Sequence, residues 1–353
     1  MVKHFNSGKW GKCHCQGMSM DSKQEYVYFS FTTKLIKTDI HGNVIGSVDH
    51  ILGHLGCIDF NDDDGKVYAS LEFKNDEIGK GILRRLGIEE KNLDDGFYIA
   101  IFDVDKIDRL DMDAEKDGVM KAVYLKEVVH DYKGKETVSN KEYDHIHGCS
   151  GIDGLAIGPD FGSKDKKNYL HVCYGIYKDN VRANNDYNII LQYDISDWDK
   201  YAKPLNQNDM HHNGPETYRN KYFLYTGNTS YGIQNLEYDA YTNNYFAAVY
   251  RGEKKQFPNY PMFVIDGNIA PKEEKLLGFD NEFKAKTLTL VKTGLESNNI
   301  SGVEFELGSM GVYSLSNGKF YFVDPIWDDP DNLSVNVDLY SLVLKPVINF
   351  VKD

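Results

Sequence analysis

The chain of 353 residues carries 54 acidic against 40 basic side chains, a net charge of −14, with 41% of its residues hydrophobic. Such a composition supports a large buried core and is not that of a disordered chain. The acidic balance repels phosphate backbones and anionic lipid, so nucleic acid and membrane surfaces are excluded as expected partners.

The first ten residues lack the apolar core of a signal peptide, and no stretch approaches the ~20 apolar residues of a membrane span. A soluble, cytoplasmic protein is the expectation. Cys13, Cys15, Cys57, Cys149 and Cys173 are odd in number and scattered, unlike a disulfide framework. Cys13-His14-Cys15 has no second Cys pair at ligand spacing, so it reads as strand rather than as a zinc site.

From His14 onward one pattern recurs. An apolar alternating run, a polar turn and a second alternating run form a hairpin at residues 14–29, with its first strand reading His14-Cys15-Gln16-Gly17-Met18-Ser19-Met20. The second copy starts 40 residues later at His54 and turns at Asp62-Asp63-Asp64-Gly65. Further copies begin at Gly151, Gly232 and Gly308. The first spacing is close to the roughly 40–45 residues of a WD40 blade, and the later units are longer, so they carry extended loops. Third runs follow at residues 35–39, 98–103, 189–194, 262–266 and 337–341, with weaker fourth runs such as 43–46 and 119–123.

Four short antiparallel strands repeated radially describe an all-β fold, a five-bladed β-propeller spanning 1–353 as one domain. Six blades is the alternative, because residues 104–149 are long enough for another unit. They contain no further hairpin of this type, and 131–141 reads as polar loop. Residues 221–225 read as an outer strand. Ring closure is expected either to pair 347–350 with the N-terminal residues or to set the two ends side by side. The hairpins resemble those of the broad propeller superfamily that includes gluconolactonase/regucalcin and virginiamycin B lyase. This resemblance covers the chain as architecture and carries no catalytic set, and a shared fold implies no shared reaction.

In a propeller the innermost strands start at the rim of the central channel. His14 and His54 occupy the same repeat position there, and Gln16, Asp153 and Gln234 share another. Imidazoles, an amide and a carboxylate converging on one axis suit a divalent metal, so His14, His54, Asp153 and Gln234 are the expected ligands. Nitrogen and oxygen donors favour manganese, zinc, iron or nickel. Calcium is the competing ion, suggested by Asn61-Asp62-Asp63-Asp64 and by Asp324, Asp328, Asp329 and Asp331, but neither cluster matches an EF-hand.

His147 and His212, in connections before inner strands, are the candidate proton carriers. Four of the six arginines, Arg84, Arg85, Arg182 and Arg251, fall in or beside loops joining second to third strands. A guanidinium matches carboxylate or phosphate, so these four are the candidate substrate-binding residues. Gly79-Lys80-Gly81 lacks the spacing of a phosphate loop, and no Gly-x-Ser-x-Gly elbow occurs.

The expectation is a metal-assisted hydrolase or lyase acting in the central channel on a small anionic substrate: a uronic-acid sugar, sugar lactone or phosphoester. The alternative is a non-catalytic propeller that binds a sugar or a protein. Unlike polar residues gathered on one axis favour the first, since a lectin-like ring offers one equivalent pocket per blade.

Overall fold

The computed structural model describes residues 2–88, 94–165, 167–279, 283–329 and 331–353. Each of the five hairpins supplies the two innermost strands of a sheet. The innermost strands are Cys15–Met20, His54–Asn61, Cys149–Pro159, Thr229–Asp239 and Val312–Ser314. Each packs against the next and the last against the first, which closes a five-bladed β-propeller.

Blades one to three have the expected four strands; blade one adds the short parallel strand Met112–Asp113, and blade three extends outward through Lys284–Thr287 and Lys272–Lys275. Blade four has three strands, with single bridges to Leu290 and Val303 along its outer strand. In blade five the strand Ser334–Val343 pairs with His4–Asn6 over one half and with Asn349–Lys352 over the other. The two chain ends therefore lie side by side on one strand. Between blades the apolar faces are filled by aromatic rings, as where Phe305, Phe320 and Phe350 gather around Phe322.

Two stretches differ from the sequence reading. Residues 131–141 are not loop: they complete the helix Lys126–Lys133 and enter the hairpin Lys135–Val138/Lys141–Asp144. Helical spacing there buries Val128, Asp131 and Tyr132, and the Asp131 carboxylate is met by the Tyr174 hydroxyl and Lys221. The connection after the second strand of blade two forms the helix Glu77–Arg85, capped by Asp76, whose carboxylate accepts the N–H groups of Ile78 and Gly79.

Five blades leave a narrow axis, and the inner strands meet it with glycine. A Cβ on Gly17 would lie 3.0 Å from Cys57 Cα, and one on Gly56 would lie 2.4 Å from Ser70 Oγ. The ladders of the first four blades bulge close to this level. The fourth copy carries Asn235 after its Gln234, where the first and third carry glycine after Gln16 and Asp153. Its amide reaches across the axis, donating to the carbonyls of Gln16 and Ser309 at 2.9 and 3.0 Å, while Cys57 Sγ donates to its Oδ1. Four blades are thereby tied at one point.

Toward the end where the inner strands finish, Asp59 links three blades. It accepts hydrogen bonds from Ser19 Oγ and from the N–H of Ile157. Burial pushes its carboxyl up to about 7, against the pull of the N–H donors, with Asp62 adding to the rise. Glu237 across the axis is raised by burial and by Asp59. A folded-state value above the unfolded one means that the folded protein binds more protons, so this stabilisation is full below about pH 4 and is lost as pH rises toward 7. Asp59→Asn is expected to flatten the fall in thermal stability between pH 4.5 and 8, by on the order of a few kcal/mol. Identical pH slopes for wild type and variant would refute the assignment.

Candidate functional site

At the opposite end of the channel, His54 opens the inner strand of blade two and Glu72 lies directly across the ladder from it. From the turn at Asn61 and Lys66 the register would set Glu72 opposite Leu55. A bulge between Leu55 and Ile58 shifts it by one residue and pairs Glu72 with His54 instead. Asp153 comes from the equivalent stretch of blade three. The donor atoms of His54, Glu72 and Asp153 all lie within 4.8 Å of one another. His54 Nδ1 stands 3.8 Å from Glu72 Oε1 and 3.9 Å from Asp153 Oδ1. It is buried and has no hydrogen-bond partner.

Lys74, two residues along the same strand face as Glu72, brings its ammonium to 2.5 Å from Glu72 Oε1 and donates to the Ser150 carbonyl at 3.0 Å. Glu72 Oε2 also accepts the N–H of Ile152. Burial opposes a charge on Lys74, but Glu72, Asp76 and Asp153 together hold its pKa above the ordinary value. Burial pushes His54 down to about 3, with Lys74 assisting. Asp153 is driven well up by burial and by Glu72. The second carboxylate thus lacks a cation of its own.

The sequence-derived ligands divide. His54 and Asp153 converge. Gln234 donates to Asp153 Oδ2 at 3.3 Å and to the Tyr231 carbonyl at 3.0 Å, so it positions the carboxylate. His14 lies at the mouth, where its Nδ1 accepts from Gln16 Nε2 at 2.8 Å and its ring centroid is 6.3 Å from that of the exposed Trp327. It is not among the three converging donors. Glu72 carries no such signal in the sequence, because it belongs to a second strand and only the bulge turns it toward the channel.

The two proton carriers lie elsewhere. His147 is buried against Phe223 and Phe279 on the outer side of blade three, and burial lowers it to about 4. His212 stacks on Tyr124, in the outermost strand of blade two.

The arginines correct the sequence reading in part. Arg182 is buried, and its guanidinium is taken up by Glu136, Asn184 and the carbonyls of Asp144 and His145. Arg251 is held by Glu304 and Glu306. Arg84 pairs with Glu77 at 3.5 Å. Arg85, exposed at the end of its helix, is close enough to the channel mouth for its charge to lower both His14 and His54. The calcium alternative meets ordinary turn chemistry: Asp64 accepts from the Tyr68 hydroxyl, and Asp329 and Asp331 pair with Lys9 and Lys12.

No helix among the described residues is long and apolar enough to cross a membrane. No protein-family model matches the chain, and no curated protein matches it. The β-propeller architecture stands, and neither comparison supports the narrower resemblance to gluconolactonase-like or virginiamycin B lyase-like propellers. Among solved structures the chain is similar to a functionally unknown protein from Desulfotomaculum acetoxidans DSM 771, at 10% identity and a TM-score of 0.37, over 96% of this chain and 69% of that one. It is also similar to the Cps50 (Swd1) β-propeller domain of Myceliophteria thermophila, at 8% identity and a TM-score of 0.34, over 93% and 83%. Likenesses at this level carry no argument about chemistry, and the fold is read from the chain's own strand pairing.

Proposed function

We propose that the channel end built from His54, Glu72 and Asp153 holds a divalent transition metal, and that the protein is a metal-assisted hydrolase or lyase acting on a small anionic substrate, a uronic-acid sugar first among them. The observation that carries this reading is the convergence of one orphaned imidazole nitrogen, the buried Glu72 carboxylate and the half-buried Asp153 carboxylate from three different strands. Metal–ligand distances of about 2.1 Å place tetrahedral donors roughly 3.4 Å apart, so His54 needs to close on each carboxylate by about half an ångström and the two carboxylates on each other by up to about 1.4 Å. Manganese, zinc, iron or nickel suits the donor set better than calcium does.

The metal would polarise a carboxylate, carbonyl or phosphoryl oxygen. Lys74 offsets the charge of Glu72, which leaves a site holding a divalent ion and Asp153 net positive and attractive to an anion. Arg85 extends that attraction to the mouth. The exposed rings of Trp327 and Tyr231 offer flat surfaces for the apolar face of a sugar. His14, and not His147 or His212, is the residue placed to move the proton, because it stands at the mouth with one ring nitrogen anchored by Gln16.

A second reading rests on Lys74. Its ammonium, hydrogen-bonded to Glu72, can serve as the resident cation of a non-catalytic sugar- or protein-binding propeller. Elemental analysis of protein purified without chelators separates the two. Near-stoichiometric manganese, zinc, iron or nickel, lost in Asp153→Asn, is the expected result. Metal-free protein that also fails to take up any of these ions at sub-millimolar concentration would refute the metal reading and leave the binding module.

A further inference from the structure

A recess of about 470 Å³ opens on the outer side of blade three, far in function from the channel, where Asn220–Tyr225 pairs in parallel with Lys284–Thr287. This size lies within the range of small-molecule sites. Its walls gather cations on a chain that is otherwise strongly acidic: Arg219, Lys221, Lys284 and Lys286, against one carboxylate among the described residues, that of Glu273. Lys221 is committed to Asp131 and Glu127. The other three are less committed, although the Arg219 guanidinium also lies over the Tyr169 ring, 4.7 Å from its centroid. Lys284 has no ion pair among the described residues, Lys286 donates only to the neutral amide oxygen of Asn220, and Arg219 stands 3.5 Å from Asp160 with its side chain 46% exposed. Arg219, Asn220 and Lys286 also line an adjoining recess of about 420 Å³.

The same walls carry flat rings. Phe283 is 39% exposed and stacks on Phe279, with centroids 5.0 Å apart and planes at 22°. His147 adds a third ring, 6.0 Å from Phe283. Its geometry is built rather than incidental. The backbone sits at φ +56°, and its N–H donates to Glu136, which Arg182 and Asn184 hold in place. His147 Nδ1 is buried without a hydrogen-bond partner, 3.6 Å from Glu136 Oε2. Arg182, expected from the sequence to bind an anion directly, thus serves to fix one wall of this recess.

We propose that the recess binds a small aromatic anion, its ring against Phe283 and His147 and its phosphate or carboxylate between Lys284, Lys286 and Arg219. Charge-assisted hydrogen bonds to the head group and ring stacking on Phe283 act on different parts of one ligand. Calorimetric titration with phenyl phosphate, inorganic phosphate and phenol tests both parts. Phenyl phosphate is expected to bind most tightly, to weaken with added salt, and to lose roughly tenfold in affinity in Lys286→Ala and again in the Lys284→Ala/Lys286→Ala pair. Phe283→Ala is expected to reduce phenyl phosphate to the affinity of inorganic phosphate. These positions are exposed or half-exposed, so unchanged thermal unfolding serves as the folding control. Absent binding, equal affinity for phenyl phosphate and inorganic phosphate in the wild type, or variants that bind as the wild type does would each overturn the proposal.

Discussion

Replacing Glu72 by alanine is expected to destabilise the protein by roughly 3–5 kcal/mol, the largest effect of any single substitution at the channel, because it leaves a buried ammonium without its closest counter-charge. Lys74 keeps only the Ser150 carbonyl at 3.0 Å and the Asp76 carboxylate at 3.8 Å. Lys74→Met should cost less, since Glu72 retains the Ile152 N–H and can take up a proton. The double variant Glu72→Gln/Lys74→Met, neutral and of similar volume, is expected to recover most of the loss. Denaturant unfolding of the three proteins measures the coupling directly. A Glu72→Ala variant within about 0.5 kcal/mol of the wild type would mean that the pair is solvated and contributes little.

The second large effect concerns the metal. His54→Ala is expected to weaken retention by more than about 100-fold, because it removes one of three converging donors, whereas Gln234→Ala, which only releases Asp153, should cost roughly 10–100-fold. Competition with a chromophoric chelator gives both values. The metal-free form of His54→Ala should keep most of its stability, since His54 stands at the channel mouth and not between blades. Equal metal affinity in His54→Ala and wild type would remove His54 from the site. A variant that fails to fold would show instead that its imidazole is structural, and Asp153→Asn then carries the same measurement.

Much of the architecture was legible because it repeats. Period-two alternation broken by polar turns places residues on the two faces of a sheet, and five copies of the pattern specify five inner hairpins. Those positions lie near the rim of the channel, which is why the sequence groups His14, His54, Asp153 and Gln234, of which His54 and Asp153 are donors that converge. The helices at 77–85 and 126–133 fall outside that pattern, because each is short and borrows its stability from the blade beneath it. Their propensity carries little signal without Ile82, Leu83, Val128 and Tyr132 finding apolar surface.

By itself, then, the order of residues determined the innermost strands and the side chains that begin near the axis, since local alternation and turn chemistry are sufficient for these; it favoured five blades over six, and the closed ring settled the number. Tertiary structure alone decided which of those side chains meet. The one-residue bulge after Leu55 brought Glu72 across from His54, and the curvature of the ring added Asp153 from the next blade. The fates of the arginines were likewise beyond the reach of spacing. Arg182 and Arg251 look equivalent to Arg85 along the chain, yet Glu136 lies 46 residues from the first and Glu304 lies 53 from the second. A guanidinium binds whichever carboxylate the fold brings within reach, and at such separations only the closed ring sets that distance.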